Sequence, residues 1–272
     1  MHGNIGNLSE NPRGFYRFIK SKRTDHCGIL PLKTSVSTVS TDQDKATCLN
    51  EYFASVFTNE DVASLPVIST SYPDMPVLEV TCAGVCKLLS KLDVKKSLGP
   101  DDISPHVMKE TSDEIAPVLT FIFNQSLSTG EVPDDWCIAN IFALHINVAK
   151  ELPENYIPIS LTAISSKILE HIVYSSISRF LADNNILTPS QHGFRPGYSC
   201  ETQLVLAIDD WAKAIDRKLL TDLAFFDFSK AFDSVPHQRL LSKLRAYGIR
   251  NNVITWISAF LTNRKQRVVV HG

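Results

Sequence analysis

The chain has 272 residues, 44% of them hydrophobic and 21% charged, with a net charge of −2, which describes a globular chain of one large or two modest domains able to bury a sizeable core. No run approaches 18 apolar residues, and the opening MHGNIGNLSENPRGFYRF has neither an apolar h-region nor a cleavage site, so neither a membrane span nor a secretory signal is expected. The six cysteines (Cys27, Cys48, Cys82, Cys86, Cys137 and Cys200) are scattered through a chain too long to need staples, which points to reduced thiols in an intracellular protein.

In chain order, residues 1–75 read as a poorly packed preface: a basic helix over 15–23, a polar stretch KTSVSTVSTDQDKAT, and a short amphipathic helix over 49–57. The Pro- and Ser-rich SLPVISTSYPDMPV then reads as a linker, giving a boundary near Val77 between a region at 1–77 and a domain at 78–272. Helical spacing follows over 80–92, with Cys82 and Cys86 on one helix face; a metal site there is the lesser reading, since no His or second Cys pair completes it. KKSLGPDDIS is a turn, Pro105 opens a helix, and residues 115–127 form another, closed by Gly130 and Pro133.

CIANIFALHI reads as a strand, and IPISL leads into a long helix over 161–181. NNILTPSQHGFRPGYSC is a loop with flexible points at Gly193 and Gly197, and residues 202–215 form a helix. LLTDLAFF then reads as a strand that delivers Asp227 to its end; helices over 237–247 and 252–261 follow, and RKQRVVV begins a basic strand. Charge is uneven along this order. From Leu219 onward eight basic residues face three acids, so +5 here leaves −7 for residues 1–218, and the C-terminal fifth is either a phosphate-facing surface or a set of solvated helix faces.

AFFDFSKAFDSVPH puts Asp227 and Asp233 at the tip of an apolar run. A buried, unpaired carboxylate is costly, so such an acid calls for a partner. A strand-end carboxylate before a turn into a helix can hold a hard divalent cation, which takes oxygen ligands; two-metal nucleotidyl transfer needs at least one further acid from another strand. Asp227 is therefore either a metal ligand or a plain strand-end acid, while Asp233, beside Pro236, reads as an N-cap-like or turn carboxylate for the following helix. Without metal and further acids, a buried Asp227 should carry a raised pKa.

DFSKAFDSVPH resembles the first catalytic motif of reverse transcriptases of non-LTR, LINE-type (jockey-like) retrotransposons. The stretches KSLGPDDISPHVMKE, STGEVPDDW, NYIPISLTAISSKILEHIV, QHGFRPGYSCETQL and WISAFLTNRKQRVVVHG stand in that family's order, and NPRGFYRFIKSKR and LNEYFASVFT resemble its segment joining endonuclease to polymerase. The resemblance implies an α+β, helix-rich right-hand polymerase, with fingers and a partial palm, lacking the rest of the palm and the thumb. It implies an RNA-directed DNA polymerase working on an RNA template, a DNA primer and deoxynucleotide triphosphates with Mg²⁺ or Mn²⁺. By similarity, Asp227 and the carbonyl of Phe228 would be metal ligands, and the main chain of Ser229, Lys230 and Ala231 would meet the triphosphate. Phe232 would exclude a ribose 2′-hydroxyl, or else is a core aromatic. Arg195 would lie near template or primer phosphates, or else forms a structural salt bridge; Arg264, Lys265 and Arg267 would add phosphate contacts.

Two departures limit that expectation. Without a gap, Ile146 and Asn147 occupy the family's lysine positions, Val148 its glycine and Ile157 its arginine; Ile offers a triphosphate none of the fixed donors of Arg, and Lys150 is the nearest substitute. Neither a Pro-Gln-Gly loop nor a Tyr/Phe-x-Asp-Asp turn occurs in the sequence. The chain alone is therefore expected to be inactive, and a non-enzymatic nucleic-acid-binding remnant of a retrotransposon is the alternative.

Overall fold

In a computed structural model, residues 28–34, 37–68 and 72–270 are described; the basic helix expected over 15–23 and Cys27 lie outside them. The fold is mixed helix and sheet. A two-residue ribbon, β1 (Leu32–Lys33) against β2 (Thr38–Val39), precedes helix α1 (Asp42–Ser55). Then come α2 (Cys82–Ser90), α3 (Pro105–Glu110), α4 (Ser112–Thr129), β3 (Ile138–His145), β4 (Tyr156–Leu161) and α5 (Ile164–Asp183). α6 (Cys200–Asp216), α7 (His237–Ala246), α8 (Asn251–Leu261) and β5 (Lys265–Val268) complete the order.

Caps set several starts. The side chains of Thr41, Thr81, Ser104 and Ser199 each accept a first-turn backbone N–H, satisfying donors that a helix leaves orphaned. α1 begins seven residues before the expected Leu49, because Thr41 caps it and Asp42 and Asp44 occupy the first turn, favourable positions at the positive end of the helix.

The main core lies between α2, α4, α5 and α8, where Val85, Leu89, Phe123, Leu127, Leu169, Val253 and Trp256 are buried. Trp136 joins it edge-on to Phe123, with centroids 5.7 Å apart. Residues 75–80 run between helices without a ladder partner, and asparagines stand in for one. The Asn252 amide pairs with both backbone groups of Leu78, at 3.2 and 2.9 Å, and that of Asn124 with both of Val80, at 2.8 and 2.9 Å. Buried backbone polar groups are satisfied by side chains where strands are absent.

The second core is a three-stranded sheet in the order β4-β3-β5. β3 is antiparallel to β4, from Asn140 opposite Leu161 to His145 opposite Tyr156, and parallel to β5, from Ile138 beside Lys265 to Ile141 beside Val268. Pro158, which has no N–H to donate, sits in the edge strand β4, where that is tolerated. Ala139, Ile141 and Tyr156 pack against Leu32, Leu49 and Phe53. The preface is thus not poorly packed as expected: Leu32 and Leu49 are fully buried, because the apolar face of α1 covers the sheet.

The strand expected over 219–226 does not form. Residues 219–228 join no ladder, and Leu220, Phe225 and Phe226 are largely exposed. A strand is stable only when its backbone groups pair and its faces are covered. β3 already has both its edges taken, and residues 219–228 belong to neither sheet. α6 shares this openness: Leu204, Val205 and Ile208 are more than half exposed, and none of its residues is buried.

Candidate functional site

Asp227 is exposed, not buried at the end of an apolar strand as expected. It precedes a tight turn over residues 229–234, in which the Ser234 N–H donates to the Lys230 carbonyl at 3.0 Å and Lys230 adopts φ 49°. Asp233 lies in this turn, as one of its two expected roles required. It does not cap α7: the cap position is Pro236, which has no side-chain acceptor, and the carboxylate of Glu60 accepts the N–H groups of Gln238 and Arg239 instead, at 2.8 and 2.9 Å. The phenyl rings of Phe228 and Phe232 are about four-fifths exposed, so the reading of Phe232 as a core aromatic is not met. The Lys230 ammonium lies over the ring of Tyr52, 4.1 Å from its centroid, and donates to the Tyr52 hydroxyl.

The QHGFR loop meets this turn through one aromatic pair. Phe194, at φ 60°, packs edge-on to Phe232 with centroids 5.9 Å apart. A left-handed non-glycine residue is held by its surroundings: the Tyr174 hydroxyl donates to the Phe194 carbonyl at 3.0 Å, and Gln191 Nε2 donates to the Gly193 carbonyl at 3.1 Å. Arg195 donates from Nη1 to the carbonyls of Thr188 (2.8 Å) and Gln191 (3.2 Å), and its guanidinium stacks 4.3 Å over the Tyr198 ring. Among the described residues its partners are therefore carbonyls and an aromatic face, not the carboxylate of a salt bridge. Buried His192 adds a 2.8 Å hydrogen bond between Nδ1 and Thr202 Oγ1, joining the loop to the start of α6. Sequence reasoning missed Tyr52, Glu60, Tyr174, His192 and Thr202. Only the Ser199/Thr202 capping pair carried a local signal.

Two other stretches meet where Gly99 approaches the backbone after β4. A Cβ there would lie 2.7 Å from the Thr162 carbonyl oxygen and 2.8 Å from Ala163 Cα, so only glycine lets KSLGPDDIS dock on NYIPISLTA at this distance. Ile146, Asn147 and Val148 lie at the exposed tip between β3 and β4, and Ile157 is half-exposed on β4. Asn147 donates to Asn155 Oδ1 at 3.1 Å, so these positions present amide and hydrocarbon to solvent where the resemblance implied cations. Of the basic residues on and beside β5, Arg264 is held over the Phe260 ring at 4.3 Å, Arg267 donates to Asn140 Oδ1 at 2.5 Å, and Lys265 is exposed.

Among the described residues no group of three or more His, Cys, Asp or Glu side chains could hold a metal ion. Asp227 alone does not meet the oxygen-rich coordination that Mg²⁺ or Mn²⁺ requires, and further carboxylates would have to complete such a site. On the Cys82/Cys86 face of α2, Cys86 donates to Asp113 Oδ1 at 3.0 Å. That hydrogen bond, with burial and the negative charge of Asp113, holds the Cys86 thiol above its usual pKa. Because the thiolate is the nucleophile, Cys86 is expected to alkylate at pH 8 more slowly than the exposed Cys82 and Cys200. Asp113→Asn should speed it, as mass spectrometry of iodoacetamide adducts would record; equal rates before and after the substitution would refute the assignment.

Residues 148–272 match the family described as reverse transcriptase (RNA-dependent DNA polymerase). In Drosophila melanogaster, the chain is 27% identical over 213 residues to the probable RNA-directed DNA polymerase from transposon BS, covering 75% of this chain and 24% of that protein. It is 28% identical over 199 residues to the RNA-directed DNA polymerase from mobile element jockey, covering 73% and 22%, and 27% identical over 173 residues to the probable RNA-directed DNA polymerase from transposon X-element, covering 63% and 19%. The chain thus spans about a quarter or less of the length of these relatives. Among the described residues no helix is long and apolar enough to cross a membrane.

Proposed function

We propose that this chain is the fingers and first palm portion of a mobile-element reverse transcriptase, an RNA-directed DNA polymerase, with residues 1–77 as the preceding linker region and 78–272 as the polymerase portion. The family match and the element relatives support this; the observation that carries it to a site is the Phe194–Phe232 contact between the QHGFR loop and the turn after Asp227. In this reading the exposed Phe232 ring is the steric floor for the incoming sugar, the amides of Ser229, Lys230 and Ala231 meet the triphosphate, and Asp227 and the Phe228 carbonyl contribute to a divalent metal completed by acids outside this sequence. Mg²⁺ or Mn²⁺, when bound, would stabilise the attacking and leaving oxygens. Arg195 orders its loop through carbonyls and keeps its remaining donors for template or primer phosphate, and Arg264, Lys265 and Arg267 add a basic edge. The protein acts inside the cell on an RNA template and a DNA primer.

Primer extension on an RNA template tests the reading. The chain alone is expected to incorporate no deoxynucleotide with Mg²⁺ or Mn²⁺. The chain joined to the following segment of the jockey polymerase is expected to extend the primer and to lose that activity in Asp227→Ala. Incorporation by the chain alone that vanishes in Asp227→Ala would overturn the expected inactivity, and a fusion whose activity ignores Asp227 would overturn the site. RNA retention at low salt, falling steeply towards physiological salt, is the expected signature of the basic edge.

A further inference from the structure

The turn after Asp227 is held from a distant part of the chain. Tyr52, at the end of α1, takes the Lys230 ammonium on its ring and hydroxyl. Thr58 Oγ1 donates to the Ser234 carbonyl at 2.7 Å. Glu60, whose side chain is 10% exposed, accepts from the Gln238 and Arg239 amides at 2.8 and 2.9 Å and lies 3.6 Å from Arg239 Nε. The separations along the chain, 178, 176, 178 and 179 residues, barely change. Residues 52–60 and 230–239 therefore run side by side in the same direction, fastened at three points.

Each fastening has a chemical reason. α7 opens at Pro236 without a side-chain cap of its own, so its first amides need an outside acceptor, and a carboxylate is the acceptor a helix N-terminus prefers. Lys230 adopts a left-handed conformation in an exposed turn with no core beneath it, and the Tyr52 ring gives its ammonium a fixed position. The two ends of the turn are thereby anchored outside it, one at Lys230 and one at residues 234–239, while Asp227 lies shortly before the first anchor.

We propose that residues 52–60 form a latch that sets the position of the turn after Asp227, with Glu60 as the positioning residue at its far end and Tyr52 at its near end. The inference rests on the reading of residues 227–232 as the metal- and nucleotide-facing turn. It assigns to the segment before the polymerase portion a share in shaping that turn, and it commits the Lys230 side chain to Tyr52 rather than to a phosphate.

Hydrogen exchange on the intact chain separates a latch from a simple helix cap. In Glu60→Ala, the amides of Gln238 and Arg239 and the peptide 227–236 should exchange at least about tenfold faster, while peptides from α4 keep their rates. Adding Pro236→Ser supplies a cap in cis, since serine suits the extended conformation that Pro236 already has. The double variant should recover protection in α7 and leave 227–236 fast. Tyr52→Phe should loosen 227–236 without touching α7, and Glu60→Gln, which keeps one acceptor oxygen, should restore part of the protection. An unchanged 227–236 in Glu60→Ala, or its recovery in the double variant, would overturn the latch; faster exchange of α4 in every Glu60 variant would also do so, by making the effect global. None of these readouts needs polymerase activity, so an inactive fusion would count against the polymerase reading and leave the latch intact.

Discussion

Trp256→Ala is expected to remove about 3–5 kcal/mol of stability, the range for deleting a large buried aromatic side chain. Trp256 is only 2% exposed, is stacked on Phe260 with centroids 5.0 Å apart, and donates from Nε1 to Ser126 Oγ at 3.0 Å. Ser126 in turn donates to the Glu131 carbonyl at 2.5 Å, so one buried chain of hydrogen bonds joins α8 to α4 and to the turn after it. Alanine leaves both a cavity and a buried serine hydroxyl without its donor. Trp256→Phe fills most of the space and removes only the hydrogen bond, so about 1–2 kcal/mol should be lost. Urea denaturation followed by circular dichroism measures both. A loss below about 1 kcal/mol for the alanine variant would mean that α4 and α8 are not packed as described. Against a typical total of roughly 5–15 kcal/mol, the larger loss takes up a substantial part of the margin.

Gly248→Ala should cost about 2–4 kcal/mol, through backbone strain and a clash together. Gly248 follows α7 at φ +83°, and a Cβ there would stand 2.1 Å from the Pro73 carbonyl oxygen and 3.3 Å from Phe180 Cζ. The same residue accepts the Met75 N–H at 2.8 Å, so the clash pushes apart the segment that the hydrogen bond draws in. Gly197, at φ +80° with nothing within 4 Å, supplies the control: Gly197→Ala carries only the cost of the left-handed conformation, about 1 kcal/mol. The difference in melting temperature between the two variants measures the close approach alone. Equal shifts would show that Pro73 is free to move away.

Much of the helical framework was legible because its signals are local. Val85, Leu88, Leu89 and Leu92 repeat at helical spacing, Pro105 follows a capping serine, and Gly130 closes α4 at φ +71°. β3 was also legible, as a short β-branched apolar run, whereas IPISL reads only as the approach to the long helix and forms β4 by pairing with β3. The early start of α1 was missed because its first turns carry polar residues, including Lys45, which is buried beside Asp42 at 3.5 Å. The strand over 219–226 was misread for the opposite reason: its β-type composition is clear, but forming a strand depends on a neighbour that composition does not reveal.

The site divides along the same line. By itself the sequence determined the order of the stretches that resemble reverse transcriptases, the faces of the amphipathic helices and the identity of the acid before the turn, because motif spacing, periodicity and capping act over a few residues. Only the tertiary structure decided that Asp227 is exposed, that Phe194 meets Phe232, that Arg195 is tied to carbonyls, and that Glu60 rather than Asp233 caps α7. Those outcomes depend on groups brought together from up to 179 positions apart. Neither propensity nor spacing encodes such a meeting; it follows from how the cores close and from which backbone donors are left without a partner of their own.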